Sequence, residues 1–510
     1  MLRGRTGNLL IAILVLSALI TPFHRELYVG DETKYAQVVR EMREGAFFLP
    51  TLHGTPFTHK PPLHFWLIDL LTYPLGAYSV WPYVLPSLLA FVFLLFLMRR
   101  IGGPLAAFVC GSSLMIWGSA QTARMDVAFT AFLVLAAWKI RVFLEKEDRG
   151  ALFLAGVAVG MATLIKGPMA PVIAIALLLF ERIRRKRLPR ASYLPALGAA
   201  AIIPLLWFVP AMLMGGNDYA REVIVKQTAG RAVGSWVHKA APWFYVTHAP
   251  ADLFPWFFLA VVALVAVYRR RDEDAKFYVS WILAVFVPYT LISSKLDVYM
   301  MTLIPPVAFL IARVVGSETR DAFAKWSWRA NVLTIGILLG IGAAGLFLAP
   351  QLVRAPDAEL LSSPPVRTLF LVIIAAAVLA LVTAIRVRTP VASTLAAGAV
   401  PLIALMYVAI ALVPVANEIA STRPLVHAIE RQNVPAQSVS LYFTPHLWTR
   451  AMPRQLERVH YMVDAAVPAA PPAVIVTRRD RADDIGDQLG VYRKVDEFRM
   501  IGKWFDVYRR

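Results

Sequence analysis

Residues 81–100 read WPYVLPSLLAFVFLLFLMRR, a long apolar run that ends in two adjacent arginines. A run of roughly 18 or more apolar residues is long enough to cross a bilayer as a helix. In hydrocarbon only a helix or a closed barrel satisfies its own backbone hydrogen bonds, and the apolar residues here are continuous rather than alternating. The stretch therefore predicts a transmembrane helix, and Arg99 and Arg100 mark its cytoplasmic end.

The same pattern recurs on both sides of this stretch. Of the 510 residues, 58% are hydrophobic and 17% are charged, whereas a soluble domain has about 25% charged residues. We interpret the first apolar run as a retained helix, because no small-residue cleavage site precedes Thr21-Pro22-Phe23. The sequence predicts an α-helical polytopic membrane protein with about thirteen spans, near residues 8–23, 79–98, 103–121, 126–144, 151–165, 169–182, 193–213, 251–268, 277–293, 300–315, 330–349, 367–385 and 391–414.

Clusters of Lys and Arg set the orientation of these spans. They precede the first span and follow every even-numbered one, so they all fall on one side if the spans alternate. Positive residues stay in the cytoplasm, which predicts a cytoplasmic N-terminus. This pattern accounts for the net charge of +19 without a nucleic-acid partner. The single cysteine, Cys110, excludes an intramolecular disulfide and a cysteine-based metal site.

Three longer segments fall on the opposite side. Loops 24–78 and 214–250 belong to a predicted membrane domain of residues 1–414. The third segment, residues 415–510, alternates short β-like runs with polar helical stretches and predicts a small α/β domain. Inside the first loop, Tyr35, Val38, Val39 and Met42 follow a helical period.

The first outer loop concentrates groups that are costly at a membrane surface without a task. Asp31 and Glu32 follow the first span closely, so either carboxylate could accept a proton from an acceptor. The alternative is an ordinary acidic first turn of a helix. Lys60 precedes two prolines, so its ammonium is fixed at a rigid bend and suits a phosphate; a snorkelling lysine is the alternative. His59 has no carboxylate at a zinc-like spacing, so the residues permit a divalent metal without requiring one.

Four further outer segments also hold cations, against the positive-inside trend. Each taken alone can be a surface ion pair or an interfacial lysine. Together they indicate anion binding, and a lipid phosphate is the natural anion at this interface. The residues are Arg124 with Asp126, Lys166 before Gly167-Pro168, Lys226, Arg231, His238 and Lys239 in the second loop, and Lys295 with Asp297 and Tyr299.

These motifs resemble the ArnT-like branch of the bacterial protein-mannosyltransferase-type glycosyltransferases, which have the GT-C fold. The resemblance runs in order through residues 8–310, and the first-loop motif is its most specific part. The matching stretches are Asp31-Glu32-Thr-Lys34-Tyr35-Ala36, Arg40-Glu41-Met42, Gly54-Thr-Pro56-Phe57-Thr-His59-Lys60-Pro61-Pro62-Leu63, Arg124-Met-Asp126, Lys166-Gly167-Pro168, Arg231 with Pro242-Trp243-Phe244-Tyr245, and Ser294-Lys295-Leu296 with Tyr299 and Pro305.

The resemblance implies an enzyme of the bacterial inner membrane with a periplasmic C-terminal domain. It implies transfer of a sugar from a polyprenyl (undecaprenyl) phosphate carrier to a lipid A-type or other envelope glycolipid, with inversion at the anomeric carbon. Asp31 would be the catalytic carboxylate, with Glu32 and Asp126 as further candidates. The carrier phosphate would be held by Lys60, Arg231 and Tyr299, aided by Lys34 and Lys295. Other cavity candidates are Arg124, Lys166, His59 and His238.

The chain departs from the family pattern at several positions. Lys34 stands where arginine is frequent, His59 where glutamate is common, and Thr302 where proline is expected. Lys226 lies near the place of a family histidine that can join that glutamate in binding a metal. The resemblance therefore predicts no certain cofactor and leaves sugar and acceptor open. The alternatives are a protein O-mannosyltransferase-like enzyme and a transporter or flippase for a lipid-linked anion.

Overall fold

The computed structural model describes residues 4–230, 239–270, 272–316, 322–352, 359, 361–386, 389–442, 456, 458–462 and 471–510. The chain forms two compact units that do not follow chain order. Unit 1 comprises Met1–Ile20, Thr58–Leu63 and Ser87–Ala409. Unit 2 comprises Thr21–Phe57, His64–Pro86 and Ile410–Arg510.

The regular elements in the described part of unit 1 are helices, apart from an isolated bridge between Lys239 and Ser294. Two of its long helices bend at a glycine with positive φ, Gly103 and Gly216. Its α-helices are Gly4–Ala18, Trp81–Gly111 (shared with unit 2 at its start), Leu114–Ala120, Asp126–Lys146, Arg149–Lys166, Met169–Arg185, Leu194–Arg221, Phe244–Asp252, Phe257–Arg270, Glu273–Leu291, Ile304–Gly316, Ala322–Leu352, Pro364–Arg386 and Pro390–Tyr407. Two π-helices, Glu222–Gly230 and Val408–Leu412, and a 3-10 helix, Asp297–Leu303, complete them.

Every one of the thirteen predicted spans falls on one or more of these helices. Among the described residues, nine helices are long and apolar enough to cross a membrane. A tenth span results if Phe244–Asp252 and Phe257–Arg269, bent by 111°, count as one. The polytopic helical class is thus confirmed, while the number thirteen stays a prediction.

Close helix packing in unit 1 depends on small residues. The helix Arg149–Lys166 packs between its neighbours Asp126–Lys146 and Leu194–Arg221. A Cβ atom on Gly156 would lie 2.2 Å from the carbonyl oxygen of Ala196. Small residues let membrane helices approach to backbone contact, where van der Waals attraction is strongest.

Unit 2 begins with the first loop, whose helical period is confirmed. The helix Asp31–Arg43 buries Tyr35, Val38, Val39 and Met42 on one face. A two-residue hairpin follows, in which β1 (Thr51–Leu52) pairs with β2 (Thr55–Pro56). The helix Leu63–Leu75 starts after the Pro-Pro bend.

The C-terminal part of unit 2 is a five-stranded mixed sheet, as the predicted α/β region requires. Its strand order is β4-β3-β5-β7-β6, with β3 parallel to β4 and β5, and β7 antiparallel to β5 and β6. The strands are β3 (Val439–Tyr442), β4 (His460–Met462), β5 (Val474–Arg478), β6 (Arg493–Met500) and β7 (Lys503–Arg509). The helical pieces of this part are Val413–Ala420, Arg423–Glu430, Ala436–Ser438, Arg479–Ile485 and Gly486–Leu489, and unit 2 has a further 3-10 turn, Thr21–Phe23, before the first loop helix.

The first loop and the C-terminal segment are joined by hydrogen bonds across almost the whole chain. The Glu26 amide donates to Asn417 Oδ1 at 3.0 Å. The Val29 amide donates to the Ala420 carbonyl at 2.8 Å, and the Val29 side chain packs against the core between the sheet and the helix Arg423–Glu430. The predicted boundary at residues 414/415 stays a prediction, but the C-terminal region shares its compact unit with the first loop.

Candidate active site

A buried ion pair lies at one end of the helices of unit 1. Asp126 is the first residue of the helix Asp126–Lys146, and Lys166 is the last residue of the next helix. The Lys166 ammonium donates to Asp126 Oδ1, and both side chains are more than 90% buried. Gly167, with a φ of 95°, ends the helix directly after the lysine. Each charge also complements the helix terminus on which it lies.

Aromatic rings surround this pair. The Lys166 ammonium lies 4.8 Å from the ring centre of Tyr299, within the range of a cation–π contact. Tyr299 stacks on Tyr289 with 4.9 Å between ring centres, and Tyr289 meets Tyr245 at 6.5 Å. Two predicted site residues, Lys166 and Tyr299, are therefore in direct contact, and two tyrosines that were not predicted as site residues join them.

Two more predicted cations act on the same carboxylate. Arg124 and Lys60 both attract Asp126 electrostatically, in addition to Lys166. The backbone of Arg124 is fixed by buried Ser87, whose hydroxyl donates to the Arg124 carbonyl at 2.7 Å. We name these residues the Asp126 cluster (Lys60, Arg124, Asp126, Lys166 and Tyr299). Its three cations and one carboxylate give it a formal charge of +2.

Lys295 is buried and is held by backbone groups. Its ammonium donates to the carbonyls of Thr290, at 2.8 Å, and of Tyr289 and Ile292. An ammonium has three donors, so these three carbonyls at a helix end engage all of them. Burial lowers the pKa of Lys295. The predicted phosphate contact of Lys295 stays a prediction, and in this geometry the side chain fixes the turn that leads to Tyr299.

A second group of titratable residues lies beside Lys295 and was not among the predicted site residues. His248 Nδ1 lies 2.6 Å from Asp297 Oδ1. Asp252, one turn further along the helix of His248, is buried and interacts electrostatically with both. Their signal in the sequence was position alone, since Asp297 lies inside the Lys295–Tyr299 motif and His248 follows Tyr245 by three residues.

In unit 2, the predicted catalytic carboxylate Asp31 is accessible. It is the first residue of the helix Asp31–Arg43, after Gly30 with a φ of 134°. Its side chain is 49% exposed, and Lys34 donates to Oδ1 at 3.0 Å. The acidic first turn considered as an alternative is thus present, and it leaves half of the carboxylate in contact with solvent.

Glu32 has a different environment, although it is the next residue. It is 7% exposed and forms a buried ion pair with Arg25. The Tyr28 amide donates to the same carboxylate oxygen at 2.8 Å, and the Arg25 guanidinium lies over the Tyr28 ring. Burial raises the pKa of Tyr28. Glu32 as a catalytic group stays a prediction, and its contacts are those of a residue that fixes the loop.

Glu41 organises the hairpin of the first loop. Its carboxylate accepts hydrogen bonds from Gln37 Nε2 and Thr51 Oγ1, both at 2.6 Å, and from the amides of His53, at 2.8 Å, and Gly54, at 3.1 Å. Burial raises the pKa of Glu41, but these four hydrogen bonds outweigh it and hold the pKa below its ordinary value. A cavity of about 340 Å³ adjoins them, lined by Gln37, Arg40, Glu41, Glu44, Ala46, Thr51, His53 and Gly54.

His59 and Lys226, which stand at the family metal position, both interact with Glu222. Lys226 lies 3.2 Å from Glu222, and exposed His59 also interacts electrostatically with Glu222. No group of three or more His, Cys, Asp or Glu side chains is placed to hold a metal within the part of the chain that the structure describes. Arg231 and His238 lie outside the described residues, so their predicted roles stay predictions.

Sequence comparison identifies related proteins for much of the chain. Residues 59–211 match the family model described as dolichyl-phosphate-mannose-protein mannosyltransferase. An undecaprenyl phosphate-alpha-4-amino-4-deoxy-L-arabinose arabinosyl transferase from Edwardsiella ictaluri is 29% identical over 370 residues, 69% of this chain and 66% of the relative. The Proteus mirabilis transferase 2 of the same name is 26% identical, with the same two coverages. The matched region thus spans just under two thirds of the length of these relatives.

Solved structures extend the likeness to the whole fold. The crystal structure of ArnT from Cupriavidus metallidurans bound to undecaprenyl phosphate has a TM-score of 0.76, at 18% identity, and covers 98% of this chain and 97% of that one. The arabinosyltransferase EmbB from Mycobacterium smegmatis has a TM-score of 0.52, at 16% identity, and covers 82% of this chain and 42% of that one. The resemblance predicted from the sequence is therefore confirmed: the chain is similar in sequence to these transferases and has the GT-C fold of ArnT.

Proposed function

We propose that this chain is a glycosyltransferase that moves a sugar from a polyprenyl phosphate carrier to a lipid acceptor. The observation that carries the proposal is the Asp126 cluster, in which three cations converge on one buried carboxylate. A cationic cluster that keeps a formal charge of +2 at the end of membrane helices fits a lipid phosphate. The named relatives add support, because both are transferases that use an undecaprenyl phosphate-linked sugar by name.

The proposed reaction follows from the charges. An acceptor hydroxyl attacks the anomeric carbon, the bond from that carbon to the phosphate oxygen breaks, and the carrier phosphate leaves with the electron pair. The phosphodiester carries one negative charge and the departing monoester about two. Lys60 and Arg124 would stabilise this gain in charge, because cations that are already fixed need no reorganisation during the reaction. Direct displacement inverts the anomeric configuration.

Asp31 is the proposed acceptor of the hydroxyl proton. A general base must reach the proton that it removes, and Asp31 is 49% exposed whereas Glu32 is engaged by Arg25. Asp126, paired with Lys166, is proposed to hold the surrounding cations in position rather than to take a proton. Lys34 would orient Asp31 through their 3.0 Å contact.

A lipid A-type glycolipid in the outer leaflet of the bacterial inner membrane is the proposed acceptor. In this proposal the N-terminus is cytoplasmic and residues 415–510 are periplasmic, which is the orientation that the positive-inside pattern predicts. A protein acceptor is the second candidate, favoured by the mannosyltransferase family model over residues 59–211. The transporter alternative gains no such support, because the Edwardsiella and Proteus relatives are both transferases by name.

Mass spectrometry of envelope lipids from cells with and without the gene tests the proposal. We expect one glycolipid to lose a sugar-sized mass, and wild-type protein but not Asp31→Asn to restore it. Loss of hexose from a periplasmic protein, with unchanged lipids, would select the protein acceptor. The transferase proposal would be overturned if neither the lipids nor the periplasmic proteins changed in mass and if Asp31→Asn complemented the deletion as well as wild type does.

A further inference from the structure

The turn that leads to Tyr299 is tied to one face of a neighbouring helix. Tyr245, His248 and Asp252 lie three, four and seven residues apart on the helix Phe244–Asp252, which places them on one face. The Leu296 amide donates to the Tyr245 hydroxyl at 3.3 Å. The second tie is the 2.6 Å contact of His248 with Asp297.

These two contacts fix the turn that holds Tyr299, a member of the Asp126 cluster. Asp297 begins the 3-10 helix Asp297–Leu303, and Tyr299 lies two residues further in it. Tyr299 contacts the Lys166 ammonium at 4.8 Å. A shift of Asp297 therefore displaces an aromatic ring that touches one of the cations of the cluster.

The imidazole of His248 is itself held in place. Its ring lies 3.9 Å from the ring of Phe244, centre to centre. Asp252 lies one turn beyond it on the same face, and its buried Oδ2 has no hydrogen-bond partner among the described residues. Lys295 approaches the Tyr245 ring from the turn, at 5.6 Å. The charged groups that interact with His248 from these two elements are thus Asp252 and Asp297.

We propose that His248 and Asp297 are a pair of positioning residues that hold residues 294–299 in the shape that binds the carrier phosphate. This rests on the proposed function of the Asp126 cluster. The hydrogen bonds of Lys295 attach the turn to the end of the helix Glu273–Leu291, and its only contact with the helix of His248 among the described residues is the 5.6 Å approach to the Tyr245 ring. The His248–Asp297 contact and the Tyr245 hydroxyl supply that second attachment.

The pair contributes to binding and not to a chemical step. If the turn binds the phosphate equally in substrate and transition state, its loss raises KM and leaves kcat unchanged. Both side chains of the His248–Asp297 contact are about half exposed, so we expect its loss to raise the donor KM by up to about fivefold in His248→Phe. His248→Asn keeps a hydrogen-bond donor near the position of Nδ1, so it should retain most of the affinity for the donor substrate. If His248 acted by packing alone, the ring of His248→Phe would preserve this affinity better than His248→Asn does.

The experiment compares His248→Phe, His248→Asn and Asp297→Ala in the purified full chain. Donor KM and kcat are measured with a polyprenyl-phosphate sugar, and undecaprenyl phosphate is titrated as a binding probe. Thr247→Ala is the matched control, because this exposed residue lies on the same helix and its hydroxyl donates to the Phe244 carbonyl of that helix. We expect weaker probe binding and a raised donor KM in His248→Phe and Asp297→Ala. His248→Asn and the control Thr247→Ala should stay close to wild type.

Several outcomes would overturn the proposal. They are wild-type KM and probe binding in His248→Phe, a kcat effect without a KM effect, or an Asn variant no better than Phe. If His248→Phe does not fold, Asp297→Ala carries the test, since Asp297 is 53% exposed. If the wild-type protein binds undecaprenyl phosphate in a His248-dependent manner but transfers no sugar, the proposed function is wrong. The positioning role of His248 and Asp297 in phosphate binding would then still be supported.

Discussion

Two Asp–Lys pairs, one in each unit, use the same residues in opposite ways. Asp31 and Asp126 are each the first residue of a helix. Asp126 pairs with a lysine from another helix and is more than 90% buried, whereas Asp31 pairs with Lys34 on its own helix and is 49% exposed. A buried pair fixes charges and a half-exposed carboxylate can meet a substrate, so environment and not residue type assigns their roles.

Asp31→Asn should give the largest effect, and on activity alone. Removal of a general base costs about 10²–10⁴-fold in rate. Stability should change by less than about 1 kcal/mol, because the exposed pair that is lost contributes little. Sugar-transfer kinetics and thermal unfolding of the purified protein check both expectations. Glu44→Gln, at the exposed C-terminal end of the same helix, is the matched control. Turnover at the wild-type level in Asp31→Asn would leave Asp31 as a helix-terminal residue only.

Lys166→Met should instead reduce stability. It leaves Asp126 buried without its ion-pair partner, which costs about 3–5 kcal/mol. The double variant Asp126→Asn/Lys166→Met should recover most of that stability but not the activity, because the cluster loses its fixed charges. Denaturant unfolding of both variants gives the free energies. Lys146→Met, at the exposed far end of the helix that Asp126 begins, should be neutral. Equal stability of the single and double variants would show that the burial of Asp126 is incomplete.

The contrast between these pairs could be predicted only in part. Local motifs single out Asp31, Asp126 and Lys166, because a charge at the end of an apolar run is visible in the sequence. The contact of Asp126 with Lys166 joins residues 40 positions apart, and nothing local specifies it. For the same reason the sequence predicts that Lys295 binds phosphate, although its ammonium turns to three carbonyls at the end of its own preceding helix.

The fold shows the same limit. Continuous apolar runs predict the helices, since each run alone must satisfy its backbone in lipid. The union of the first loop with the C-terminal segment depends on contacts such as that of Glu26 with Asn417, 391 residues apart. A chain read segment by segment assigns these parts to different domains, and only packing reveals that they share one compact unit.

Glu41→Gln should produce a medium effect through the hairpin of the first loop. The variant weakens four hydrogen bonds to a carboxylate, and we expect a loss of about 1–3 kcal/mol at neutral pH. Because the folded pKa of Glu41 is lowered, its contribution is complete above its ordinary pKa and is lost as the pH falls through the folded value. The stability gap between wild type and variant should therefore be full at pH 7 and should narrow as the pH falls below 4.5. Glu44→Gln is again the control, and a gap that persists at low pH would contradict the assignment.

Lys34→Met should have the smallest effect on stability and is the direct counterpart of Lys166→Met. Both remove a lysine beside an aspartate, but Lys34 faces a half-exposed partner at 3.0 Å. An exposed pair contributes about 0–1 kcal/mol and is screened by salt. We expect unfolding to be nearly unchanged, and sugar transfer to fall by a few-fold at low ionic strength because Asp31 loses its orienting cation. The deficit should shrink at high salt, where the wild-type pair is screened as well. If Lys34→Met were as destabilising as Lys166→Met, exposure would not separate the two pairs, and the division of roles drawn from it would fail.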